Sequence, residues 1–177
     1  MAVPALSIPG EQVEIRPYGP EDVENLLGLR LDNRAFLEPL EPVRPESFYT
    51  RDGQRAFIET AARDWEADRN YYFGVFLLDT GSLVGHVSIA NVARGAWQNA
   101  TIGYYVDRSS NNRGIATEAV KLATSFAFEH ADLHRVQAGV MPRNRASLRV
   151  LEKAGYRNEG RSERYLRING VWEDHEM

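Results

Sequence analysis

Residues 109–120 read SSNNRGIATEAV. Ser, Ser, Asn, Asn and Arg pass through a single glycine into small and apolar residues, and the spacing predicts a helix over 115–129. One capping residue would satisfy a helix start, so the polar run calls for a second explanation. The first turn of a helix leaves backbone N–H groups without intrahelical partners, and the helix dipole makes that end positive. Gly114 permits close backbone approach or a positive φ, Ala116 keeps the wall low, and the Asn and Ser side chains add donors. Such an end suits a pyrophosphate. It is not a Walker loop, since no Gly-Lys-Ser/Thr follows the four-residue spacer, and it is not the Gly-x-Gly-x-x-Gly of a dinucleotide fold. A solvated loop that merely caps a helix fits the same residues, so the rest of the chain has to decide.

The 177 residues carry 43% hydrophobic and 26% charged side chains, the balance of one globular domain with a real core. No apolar run approaches the ~18 residues of a membrane span. The start, MAVPALSIPGEQ, lacks the basic opening and unbroken apolar run of a secretory signal, so the expected location is cytoplasmic. Without cysteine there is no disulfide, thiol nucleophile or thiolate-bound zinc. A net charge of −4 offers no basic footprint for nucleic acid and mildly favours a cationic substrate.

Val13 to Pro17 alternates as a short strand, and Pro20, Glu21 and Asp22 open a helix with Val23, Leu26, Leu27 and Leu31 at helical spacing, breaking near Arg34. Prolines 39, 42 and 45 forbid regular helix over 36–46, and a second helix is expected over 52–69. Strands follow over 71–78 and 83–92, joined by the tight turn Asp79-Thr80-Gly81-Ser82, and then over 100–106. Beyond the helix at 115–129 come a strand over 134–141, a helix over 145–154 and a strand from 156. Asn169-Gly170 then turns a terminal hairpin. This order predicts an α+β domain over 13–177, with a mixed, mostly antiparallel sheet flanked by about four helices and an extension over 1–12.

Three stretches, YYVDRSSNNRGIATEAV, HRVQAGVMPRNRASLRVLEKAGYRNEG and RYLRINGVWEDH, together resemble the GNAT acetyltransferases, in particular the RimJ/RimL-like branch that acetylates protein N-terminal amines. Its pyrophosphate loop, [Q/R]-x-x-G-x-[G/A], is here Asn111-Asn112-Arg113-Gly114-Ile115-Ala116, departing from the pattern at its first position. The motif N-x-x-S-x-x-V-L-E-K-x-G-[FY] is matched throughout by Asn144 to Tyr156. The resemblance implies a GNAT fold that binds acetyl-CoA, with the pyrophosphate on backbone N–H groups of about Arg113 to Thr117. It places the pantetheine arm in a gap between the strands 100–106 and 134–141, paired with backbone at about Tyr105, Val106 and Asp107. It further implies that Asn144 holds the arm near the thioester and that Ser147 protonates the leaving thiolate. Local readings of both residues stay open: Asn144 as a turn former, Ser147 as part of the first helical turn.

The implied reaction is direct attack of an amine on the thioester, with a backbone N–H of the 100–106 strand stabilising the oxyanion. ATIGYYV carries no carboxylate base, and the glutamate that close relatives place on the strand after Gly160 is here Leu166. An α-amine of pKa about 7.7 to 8.0 costs only roughly 1 kcal/mol to deprotonate at pH 7, against roughly 4.6 kcal/mol for a lysine. The resemblance implies the N-terminal α-amine of a protein, of ribosomal-protein type, as the acceptor, with a small amine such as an antibiotic or polyamine, or a non-catalytic acyl-CoA sensor, as alternatives. Aminoacyl-tRNA is disfavoured for want of a basic face. His130 and His134 stand four apart but lack the glutamate of a metal motif, and no metal is expected. His86 reads as a core histidine, Tyr71, Tyr72, Phe73 and Phe76 as core or cleft wall, and Asp174-His175 as a brace. Glu38, Glu41 and Glu46 are read as carboxylates that draw a cationic acceptor.

Overall fold

The computed structural model describes residues 5–177. Its elements run β1 (Ile8–Pro9), β2 (Val13–Pro17), α1 (Val23–Leu37), α2 (Arg51–Glu66), β3 (Tyr71–Leu77), β4 (Leu83–Ala93), β5 (Asn99–Val106), α3 (Ile115–Glu129), β6 (Arg135–Gln137), α4 (Arg145–Lys153), β7 (Arg161–Ile168) and β8 (Val171–Glu176). The first six strands form one sheet in chain order, and β7 and β8 pair separately as a hairpin. Every neighbouring pair is antiparallel except β5 and β6. A parallel pair needs a crossover, and α3 supplies it. The fold is the expected α+β class with a mixed, mostly antiparallel sheet.

The two faces of the sheet are covered differently. Ala119, Ala123 and Ala127 recur every fourth residue of α3 and let it lie close to Val13, Ile15, Phe73, Val75, Val87 and Ile89. Each large apolar side chain buried there contributes about 1.5–3 kcal/mol. On the other face α1 and α2 enclose Tyr18, Val23, Leu26 and Ile58, with Phe57 and Tyr72 packed against them. His86 emerges among these aromatic rings, buried as expected, and the Tyr18 hydroxyl shares a hydrogen bond with its Nδ1 at 2.9 Å.

Several boundaries differ from the sequence expectations. Within the extension expected over 1–12, Ile8 and Pro9 pair with Ile15 and Glu14, a strand too short to show alternation; residues 1–4 lie outside the described residues. Pro20 to Asp22 form a single 3-10 turn, and α1 begins after it and continues to Leu37. Its inward face is Val23, Leu26, Leu29, Arg30, Asn33 and Leu37, while Leu31 is 48% exposed. The strand expected over 134–141 is only three residues long beside β5. Beyond Gln137 the chain turns away, and Val140 exchanges backbone hydrogen bonds with Glu176 at 2.9 and 2.8 Å. The strand expected from 156 starts at Arg161, after two left-handed glycines, Gly155 and Gly160, at φ 93° and 131°.

Burial, with the nearby Arg30 and Arg44 charges, pushes the His86 imidazole well below the ordinary 6.5. The folded state then refuses a proton that the unfolded state accepts below pH 6.5, so this contribution is complete above that pH and is lost as pH falls. Urea denaturation from pH 7.5 to 5.5 should show stability declining by up to about 1.4 kcal/mol per pH unit from this group, with a shallower decline in His86→Gln.

Candidate active site

The decisive geometry lies where β5 and β6 part. They pair only at Asn99–Arg135, Ala100–Val136 and Thr101–Gln137. The Asp107 N–H donates to Val84 at 2.7 Å, and antiparallel alternation then commits Tyr105 and Asp107 to β4 and turns the backbone groups of Tyr104 and Val106 to the open side. Val106 is thus the residue of the expected set Tyr105, Val106 and Asp107 whose backbone faces the gap. The gap is an unpaired strand edge that an extended chain can complete.

At its upper end the chain makes a 3-10 turn over Arg108–Ser110 and reaches α3 through Asn112 at φ 62° and Gly114 at φ 85°. Asn tolerates the left-handed region and Gly adopts it freely, so the loop bends to present backbone N–H groups over Arg113 to Thr117, while the Asn111 N–H donates to Arg108 O at 3.3 Å. No side chain caps α3 at Gly114. A Cβ on Gly114 would meet only Gln12 Nε2, at 3.7 Å, so backbone strain rather than crowding selects glycine. Glu118, in the first turn, could oppose an anion, but its carboxylate accepts from the N–H groups of Glu11 and Gln12 in the β1–β2 turn. Ile115 is buried, Ala116 and Thr117 are half-buried, and Asn112 and Arg113 are exposed. An uncapped helix start beside a strand gap fits a pyrophosphate followed by an extended arm.

The loop is positioned by a residue that the sequence reading passed over. Asn33 is 1% exposed; its amide donates to Leu29 O and to Asp107 Oδ1, both at 2.9 Å, and its Oδ1 accepts from the Arg108 N–H at 2.9 Å. Burial pushes the Asp107 carboxyl up, but hydrogen bonds from Ser109, Asn33 and the Arg108 backbone more than offset this and hold it below its usual range. The available signal was a polar residue on the inward face of α1.

Asn144 and Ser147 stand at the start of α4. The Asn144 Oδ1 caps the helix by accepting from the Ser147 N–H at 3.2 Å, which is the local role weighed for it. Ser147 Oγ lies 2.8 Å from the Tyr104 hydroxyl, which also donates to the Ser147 carbonyl at 3.1 Å. Burial pushes the Tyr104 phenol up to about 12, so it is a neutral donor at pH 7. Tyr104 links the open edge of β5 to Ser147, a connection the alternation of β5 alone does not reveal.

Over the other face of β5, the hairpin tip meets the loop after α1. The Asn169 N–H donates to Glu41 O at 3.0 Å, and Arg143 pairs with Glu173 at 2.7 Å. The carboxylates read as an attractant are already engaged: Arg34 binds Glu38 and Glu46 at 2.9 and 3.0 Å, and Glu41 faces Arg44 at 3.9 Å. Little uncompensated negative charge remains there. A groove of about 840 Å³ runs along the outer edge of β6, between α4 and residues 156–159, and reaches neither the loop nor β5. His134 follows α3 without sharing a helical face with His130. Among the described residues no group of three His, Asp or Glu side chains is placed to hold a metal ion. No helix among them is long and apolar enough to cross a membrane.

Residues 12–157 match the model of the acetyltransferase (GNAT) domain. The chain belongs to the GNAT acetyltransferase family. It is 45% identical over 168 residues to YjcK of Bacillus subtilis (strain 168), described as a probable N-acetyltransferase, covering 95% of this chain and 93% of that protein. The structure of ribosomal-protein-S5-alanine acetyltransferase from Vibrio fischeri superposes with a TM-score of 0.90 at 30% identity, covering 97% of this chain and 93% of that one. RimJ of Mycobacterium smegmatis, in complex with CoA-disulfide, gives a TM-score of 0.88 at 33% identity over 93% of this chain and 79% of that one. The protein is an N-acetyltransferase of GNAT type, and the RimJ/RimL-like likeness read in its motifs holds in both sequence and structure.

Asn33→Ala leaves the Arg108 N–H and Asp107 without their buried partner. It should cost about 1–3 kcal/mol in urea denaturation and raise the KM for acetyl-CoA in this GNAT acetyltransferase.

Proposed function

We propose that the protein moves an acetyl group from acetyl-CoA to the α-amine of a protein N-terminus. The observation that carries this reading is the open edge of β5 between the uncapped start of α3 and the Tyr104–Ser147 pair. Likeness to acetyltransferases named for ribosomal-protein alanine supports the acceptor class.

Acetyl-CoA bound there supplies a thioester carbonyl open to attack by an amine. The N–H groups over Arg113 to Thr117 hold its pyrophosphate, and the backbone of Val106 pairs with the arm. A backbone N–H on the open edge of β5 stabilises negative charge on the carbonyl oxygen. Asn144, whose Oδ1 serves the helix, has its amide for the arm. Ser147 Oγ, held by the Tyr104 hydroxyl 2.8 Å away, gives a proton to the departing sulfur and takes one back from water.

The reacting nitrogen loses its proton to water. Glu173, which faces Leu166 across the hairpin, is a poor base because the Arg143 guanidinium holds its carboxyl below the usual range. An α-amine tolerates this and a lysine does not.

CoA release should be measured with free peptides of varied first residue, N-terminally blocked copies and small amines. Turnover confined to free α-amines is the expected result; turnover of small amines alone overturns the acceptor, and binding without turnover overturns the catalysis. Ser147→Ala should lower kcat about 10²-fold with the KM for acetyl-CoA nearly unchanged.

A further inference from the structure

Arg30 lies on the inward face of α1 and is only 5% exposed. Among the described residues no carboxylate pairs with it, and its Nε has no acceptor. Its guanidinium meets aromatic faces instead: Tyr105 at 4.7 Å, Phe48 at 5.0 Å and Phe57 at 5.9 Å from the ring centroids. The hydroxyl of Tyr105 is likewise buried without a partner. Cation–π contact offsets part of the desolvation of a guanidinium but leaves its hydrogen-bonding donors unused. Two unused donors thus share one cluster, and both are of the kind that bind an anionic oxygen.

The cluster stands on the acceptor side of β5. Gly103 is exposed, and a Cβ there would meet only Ser88 Oγ at 3.4 Å, so the strand face is bare at that point. Tyr105 is the next residue on the same face, about 7 Å further along. Its ring stacks at 5.6 Å from His86, which burial keeps neutral, and Arg44 over Phe48 is offset by Glu41 at 3.9 Å, so Arg30 is the uncompensated charge of the cluster. An amine reacting above Gly103 therefore has an unpaired buried cation against the next side chain on the same strand face.

We propose that Arg30 and the Tyr105 hydroxyl form a carboxylate subsite that selects amine acceptors carrying a carboxylate close to the reacting nitrogen. This rests on the acetyl-transfer reading above. The shared chemistry is met by an acidic side chain on the first or second residue of a peptide, or by the carboxylate of a small amino acid.

The test compares isosteric pairs as acceptors: peptides with Asp or Asn at each of the first two positions, and small amino acids against their amides. Wild type should favour the carboxylate member by at least roughly tenfold in kcat/KM, carried by KM, and the responding pair identifies the source. Arg30→Met and Tyr105→Phe should each reduce that preference while the KM for acetyl-CoA stays the same. Equal use of both members by wild type overturns the subsite without reference to any variant. If no acceptor turns over, the acetyl-transfer reading fails separately, and glutarate titrated into the CoA-saturated protein still decides the subsite. Saturable binding weakened in folded Tyr105→Phe supports it; absent binding, or binding unchanged in that variant, overturns it.

Discussion

β5 is asked to serve two neighbours and keeps only one along its whole length. Its pairing with β4 is continuous from Thr101 to Val106, whereas β6 leaves after Gln137. Buried backbone groups need partners, so an edge opened in the middle of a sheet must face water or a ligand with peptide-like donors and acceptors. The parting has a local cause. The continuation of β6 is drawn to the hairpin through Val140 and Glu176, and cannot also follow β5. The start of α3, the cap of α4 and the Tyr104–Ser147 pair are arranged around that opening.

The two faces of the sheet divide the work. The α3 face is dense and apolar, holding the crossover rigidly enough that a loop with two left-handed residues keeps its shape. The α1–α2 face is aromatic and contains the polar groups His86, Arg30 and Asn33. Asn33 reaches from that second face to the loop at the end of β5, so the two are joined by one buried amide. A change in α1 packing is thereby felt at the approach to α3.

Much of this was legible in the residue order. The helical spacing after Gly114, the Asp-Thr-Gly-Ser and Asn-Gly turns and the alternation of the central strands specify local geometry through short-range sterics. The motif from Asn144 to Tyr156 carried the family. Other features depend on partners distant in sequence. The length of β6 is decided by β8, and the first helix was followed through Leu27 and Leu31, although its buried face runs through Arg30 and Asn33. Polar residues on an apolar stripe look like the end of a pattern until burial shows that they belong to it. The acidic loop misled for the same reason: Glu38 and Glu46 find their charge partner in Arg34, a residue that sequence alone does not bring to them.

The hold of Glu118 on the β1–β2 turn reaches beyond local packing. Its carboxylate belongs to the first turn of α3, yet it is spent on the backbone of Glu11 and Gln12 at the far edge of the sheet. The N-terminal edge strand and the anion-binding turn are consequently two ends of one fastening. If that strand frays, a carboxylate is released beside the uncapped start of α3 and weakens the positive potential there. The turn between β1 and β2 therefore acts as a counterweight that occupies this negative charge.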